Sequence, residues 1–246
     1  MSNPVFEMKF FALKMTVSNL LIVAVSHTLC SQSTLSIENQ VESINEAYGK
    51  FQATKLITGR AYTINDYQAI NSRLTIDDNL QQGAILFDDI FYSNVKIGYD
   101  LYHQLVIVQL DSKTSSRHVS LDTANVSLFQ ISDRLYRKFG GNAVMKGAFY
   151  EVLYESPQIA IYAYRYKVKN EKLVNSKLMT KYMPVNKFYV RNGNGTFNIA
   201  NKSHLLNSYN KSDLIRTLLK VNDIKFTKSN IEKSLIRFAH KMNETD

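Results

Sequence analysis

Residues 148–199 alternate. In AFYEVLYESPQIAIYAYRYKV, apolar or aromatic side chains fall at every second position along two runs, and Ser156-Pro157 separates them. A period of two is the strand period, with successive side chains on opposite faces of a sheet. The segment therefore predicts a hairpin turned at Ser156-Pro157. A second hairpin follows in KFYVRNGNGTFNI, where Asn192-Gly193 and Asn194-Gly195 offer the positive φ angles of a tight turn. Such a chain must bury one face of a sheet and solvate or cover the other.

The same grammar runs upstream. GAILFDDIFYSNVKIGYD reads as strand, turn, strand, turn, strand, with Asp88-Asp89 and Ser93-Asn94 as the breaks. QLVIVQL is nearly continuous and apolar, as in a strand covered on both faces. HVSL, VSLFQIS and KLMTKYMPV add further strands. Fifteen Tyr and thirteen Phe favour strands, and with only three Pro and nine Gly the turns must lean on Asn, Asp and Ser.

The period changes at both ends. Ile37, Val41, Ile44, Tyr48 and Phe51 fall at helical steps, which predicts a helix over 36–51. Helices are also predicted over 202–243: Leu214, Ile215, Leu218 and Leu219 share a face behind Ser212 as N-cap. Ser229 and Glu232 form the capping-box pattern ahead of Ile231, Leu235, Phe238, Ala239 and Met242. The expected fold is α+β and mainly antiparallel β. It is a meander or barrel-like sheet of roughly ten strands with an N-terminal helix and a C-terminal helical segment.

Residues 1–31 read as an address. Lys9 and Lys14 precede the apolar stretch TVSNLLIVAVSHTLC, which has the length of a signal peptide rather than of a membrane span. This predicts cleavage near residues 30–32, a single β-rich domain over 32–246, and export to the periplasm or outer membrane. Cys30, the one cysteine, sits where a lipoprotein carries its lipid, but Leu29 is too large for that processing site, so lipidation is disfavoured. Once the leader is removed the chain has no thiol for a disulfide, a nucleophile or a metal.

Charge is unevenly placed. The chain carries a net +9, yet residues 60–112 are acidic, whereas 165–192 hold eight basic groups against Glu171 alone. Within that segment Arg165, Lys167, Lys169, Lys172, Lys177 and Lys181 are the candidate partner-binding residues. An envelope protein, a glycan or a lipid head group fits them; nucleic acid is disfavoured because an exported chain seldom meets it.

Catalytic signals are sparse. His103, His118, His204 and His240 lack metal-ligand spacing, and no nucleophile elbow, phosphate loop or calcium loop appears, so no cofactor is called for. Asp88, Asp89 and Asp100 are the candidate carboxylates of an alternative reading, a secreted hydrolase. A third reading is a carrier with the aromatic strands curved around a lipid or other apolar ligand. The first reading is a binding or structural protein rather than an enzyme.

GAILFDDIFYSNVKIGYDLYHQLVIVQ, AFYEVLYE and the closing KFYVRNGNGTF with its Lys-rich tail resemble a family of uncharacterised exported proteins of Bacteroidota. The resemblance spans most of residues 55–243. It implies the cell envelope and no reaction. The turn usually written Asp-Gly in that family is Asp88-Asp89 here.

Overall fold

The computed structural model describes residues 56, 59–64, 66–75, 79–111, 116–210 and 212–244, all within the compact unit Thr54–Asp246. The expected signal peptide and the expected helix over 36–51 lie outside the described residues.

Eleven strands form one sheet: β1 (Arg60–Ala61), β2 (Gln81–Phe87), β3 (Ile90–Asp100), β4 (Leu105–Asp111), β5 (Ser116–Ser120), β6 (Val126–Ile131), β7 (Arg134–Phe139), β8 (Ala148–Glu155), β9 (Ala160–Val174), β10 (Lys177–Asn192) and β11 (Gly195–Ile199). Their order is β1-β5-β4-β3-β2-β6-β7-β8-β9-β10-β11, and every neighbouring pair is antiparallel. Two meanders, β2 to β5 and β6 to β11, therefore join edge to edge at β2 and β6. Helices α1 (Lys202–Asn207), α2 (Ser212–Val221) and α3 (Ile231–Glu244) follow the last strand. The fold is thus mainly antiparallel sheet with a helical end, as the alternation and its loss near residue 200 predict.

The turns behave as Asx chemistry requires. Asp88 and Asp89 have φ of 53° and 61°, and Phe87 pairs with Ile90, so this is a two-residue hairpin turn without glycine. Ser93-Asn94 is a correction. It is no turn but a bulge inside a continuous β3, with Asn94 at φ 55° and the register slipping between Gly83 and Ile85. Gly83 flanks that bulge, and glycine is required there because a Cβ would lie 2.0 Å from the Gln130 carbonyl oxygen of β6.

Two further differences concern strand extent. β7, RLYRKF, carries three cations and only Tyr136 fully buried, so its alternation is hidden. KLMTKYMPV and KFYVRN are one strand, β10, rather than two. Pro184 does not interrupt it. Its partner across the ladder is Lys167, whose N–H points away from β10 to the Leu101 carbonyl at 2.9 Å. Pro184 thus occupies a pair that exchanges no ladder hydrogen bond, where a missing N–H is tolerated.

That bond from Lys167 to Leu101 also shows the sheet's curl. Four strands separate β3 from β9 in the sheet, yet the end of β3 touches β9 directly. The Gln104 side-chain amide reinforces the contact, donating to Leu101 O at 2.8 Å and Arg165 O at 3.2 Å. Inside the curl the rings of Tyr99, Phe129, Tyr136 and Phe149 pack together, Phe129 and Tyr136 stacked at 4.8 Å. Further along, Ile161, Ala163, Phe188 and Val190 pack against Leu205, Leu219, Leu235 and Phe238 of the helices. The opposite face of β8, β9 and β10 holds a third cluster built on Tyr150, Tyr162, Tyr164 and Tyr189.

Between the first two clusters lies an ion cluster. Arg165 bonds Glu151 through Nε and Glu232 through Nη2 at 2.9 Å, and Arg165 and Glu151 are both buried. This changes the start of α3. Glu232 does not close a capping box with Ser229, because a buried guanidinium competes for its carboxylate. Asn230 precedes the helix instead, its O accepting from Ser234 N at 2.9 Å. Breaking a buried pair costs more than replacing it whole. Arg165→Met alone is expected to lower the unfolding free energy by about 3–5 kcal/mol, and adding Glu151→Leu to recover most of that. Urea denaturation of the two variants checks it; equal losses would contradict the assignment.

Candidate functional site

The end of β3 gathers the most concentrated polar chemistry. Asp100 is fully buried. Its Oδ1 accepts the backbone N–H groups of Tyr102 at 2.8 Å and His103 at 2.9 Å. Its Oδ2 accepts the Tyr62 hydroxyl at 2.5 Å and lies 2.8 Å from His103 Nδ1. Arg73 Nε lies 3.9 Å away, and its guanidinium stands over the Tyr62 ring. A carboxylate after a strand with free N–H groups two and three residues on is an Asx turn, so YDLYHQ turns because Asp100 closes it.

The segment between β1 and β2 supplies Tyr62 and Arg73, and it straps across the sheet. Thr75 N bonds Tyr99 O, and Lys167 Nζ donates to the carbonyls of Ser72 and Leu74 at 2.7 Å each. Asn71 bonds both backbone groups of Tyr182 on β10, and Thr180 N donates to Gln68 O. The Tyr182 hydroxyl donates to Asp66 at 2.7 Å; burial and then this bond raise the phenol, and the same bond lowers the Asp66 carboxyl against its burial. Asp100 thus ties two segments together, the strap and the β3–β4 turn, with both oxygens engaged. It orients His103, but the described contacts bring no hydroxyl nucleophile to that ring.

Asp88 and Asp89 are exposed at the other end of β3. Asp100 is the last of the eleven residues of β3, so a span on the order of 30 Å separates it from them. Paired carboxylate chemistry works across about 5–10 Å, so neither turn aspartate pairs with Asp100. Tyr62 also lines an open cleft of about 540 Å³ with Asn79, Lys96, Gln109 and His118. His204 and His240 lie apart from it, the latter against Tyr154. Among the described residues no three His, Cys, Asp or Glu side chains gather as a metal cluster.

The basic segment divides into two parts. Arg165 and Lys167 point inward, the first to Glu151 and Glu232, the second to the strap. The remaining four, Lys169, Lys172, Lys177 and Lys181, stand on an arm. β8 pairs β9 only over Ala160–Ala163, and β11 pairs β10 only over Phe188–Asn192. Beyond Lys167 the β9–β10 hairpin leaves the sheet and turns at Asn175-Ser176, with φ of 49° and 61°. Residues 168–179 are exposed throughout, a ribbon about 20 Å long. It carries Val168, Leu173, Val174, Leu178 and Met179 into solvent, Leu173 at 74% exposure.

The cross-strand register sorts the arm's faces. One face carries the pairs Val168–Met183, Asn170–Lys181, Lys172–Met179 and Val174–Lys177, and no carboxylate. The other carries Leu173–Leu178, Glu171–Thr180 and Lys169–Tyr182, with Lys169 bound to Glu171 at 2.6 Å. Apolar alternation ends at Val168, and KNEKLV beyond it shows none, so the strand's outer half is not marked by period. Asn175-Ser176, a tight-turn pair, is the signal that marks the arm. Neither a protein-family model, a curated protein nor a solved structure matches the chain significantly.

The tyrosines set the response to alkali. Burial pushes Tyr136, Tyr150 and Tyr162 up to about 12. Tyr62 rises too, first through burial and then through its bond to Asp100. In the unfolded chain these phenols ionise near pH 10. The folded protein therefore holds more protons than the unfolded one between pH 10 and about 12, so stability is fully present below pH 10 and lost as pH rises through that window. The thermal midpoint is expected to be level below pH 10 and to fall steeply above it. Phenolate absorbance that appears at pH 10 for all tyrosines of the folded protein would contradict this.

Proposed function

We propose that this chain is an exported, non-enzymatic binding protein of the cell envelope that presents its β9–β10 arm to an anionic partner. One observation carries the reading: the tip of the longest hairpin, residues 168–179, is exposed on both faces. An isolated two-stranded ribbon is marginally stable in water, and this one exposes five apolar side chains beside four lysines. A partner that covers the apolar residues and neutralises the lysines relieves both costs. The signal-like leader and the resemblance to exported proteins support the envelope as the place.

The hydrolase reading has less support, since Asp88 and Asp89 are far from Asp100 and Asp100 is saturated with hydrogen bonds. The carrier reading meets aromatic rings in mutual contact where its ligand would lie.

Isolated bacterial envelope fragments provide the test. Wild-type protein should sediment with them at low salt and be released as salt rises. Changing Lys169, Lys172, Lys177 and Lys181 together to Gln should weaken that binding by about tenfold or more. Equal binding by the variant, or recovery of an uncleaved chain from the cytosol, would contradict the proposal.

A further inference from the structure

We infer that the arm's partner is an anionic phospholipid surface, met by the carboxylate-free face of the arm lying flat on it. The inference rests on the arm being the docking element. Three observations select lipid over a folded protein.

The first is charge. The face bearing Lys172, Lys177 and Lys181 carries no acid, and Lys187 continues it toward the sheet. Lysine is a flexible point charge, suited to a layer of phosphates that offers no fixed geometry. The second is composition between the charges. Val168, Val174, Met179 and Met183 alternate with the lysines instead of forming one apolar centre with a polar rim. A protein interface concentrates its apolar residues in a desolvated core. At a bilayer interface, by contrast, a lysine stem lies along apolar surface while its ammonium reaches the head groups. Tyr166, half-buried at the base of the same face, adds a ring of the kind found at head-group level.

The third is area. Two strands about 5 Å apart and about 20 Å long present on the order of a few hundred Å². A stable protein complex buries about 800 Å² per partner, with shape complementarity a flat ribbon does not supply. A bilayer requires neither. Its anionic surface attracts each lysine with roughly a fivefold gain in binding.

Protein-free vesicles separate lipid from every other envelope component. Full-length protein is sedimented with vesicles of neutral phosphatidylcholine alone, and with vesicles containing about one-third anionic phosphatidylglycerol. Two variants of equal charge accompany it. One changes Lys172, Lys177 and Lys181 to Gln; the other changes the exposed Lys202, Lys220 and Lys228 to Gln. Wild type should bind the anionic vesicles and not the neutral ones. The arm variant should lose on the order of 100-fold in affinity, and the helix-side variant should stay within about fivefold of wild type. Met179→Ser with Met183→Ser should also weaken binding at unchanged charge, and this loss should persist at high salt. Equal losses in the two lysine variants would reduce the effect to net charge and overturn the inference. Absence of vesicle binding by a protein that still sediments with envelope fragments would overturn the lipid assignment while leaving the docking role of the arm in place.

Discussion

The rest of the structure depends on how β9 leaves the sheet. At Arg165 and Lys167 the strand spends two cations on internal partners: Glu151 and Glu232 for the first, the strap carbonyls for the second. The same two residues meet the β3–β4 turn through their backbone. Up to this row β9 has neighbours on both sides, an aromatic core on one end and the helices on the other. Past it β10 meets the strap, at Thr180 and Tyr182, and residues 168–179 are exposed. The ion cluster is therefore both a clasp for the curled sheet and the base of the arm.

The strap and Asp100 serve the same junction. A chain segment with little regular structure is held because its polar groups land on acceptors and donors already fixed by strands. Asn71 reproduces a strand's pairing with Tyr182, and Tyr62 completes the buried carboxylate of Asp100. A fully engaged acceptor in this position stabilises a turn and a crossing segment together. His103 and Asp100 are adjacent for that reason, and their proximity alone does not make a catalytic pair.

Much of this fold was legible wherever short apolar runs are bounded by turn residues. β8 and the first half of β9 read directly, because AFYEVLYE and AIYAY put apolar side chains on both faces. Asp88-Asp89 announced its turn through residues that accept positive φ. The helix stripe of Leu235, Phe238 and Ala239 was equally plain. Where one strand is mostly charged, as in β7, or where both faces meet water, as in KNEKLV, no period exists to read. The strap was invisible because its bonds reach residues as much as 95 and 116 positions away, as from Ser72 to Lys167 and from Asp66 to Tyr182. Arg165 could be placed on the face of Ile161 and Ala163 from spacing alone. That its partner would be Glu232 could not, since the pairing is made by packing a helix on a sheet.

The lysines show how charge patterning and geometry divide the labour. The sequence marks one basic segment; the register splits it into residues that hold the fold and residues that face outward. Amide hydrogen exchange across residues 160–192 tests that division most directly. In buffer, the amides of 160–167 and 188–192 should be slow and those of 169, 171 and 173, which point away from β10, fast. Anionic vesicles should slow exchange in the arm and leave the sheet unchanged, and neutral vesicles should do neither. Uniform protection of the whole hairpin in buffer, or protection by anionic vesicles confined to the helices, would contradict the account.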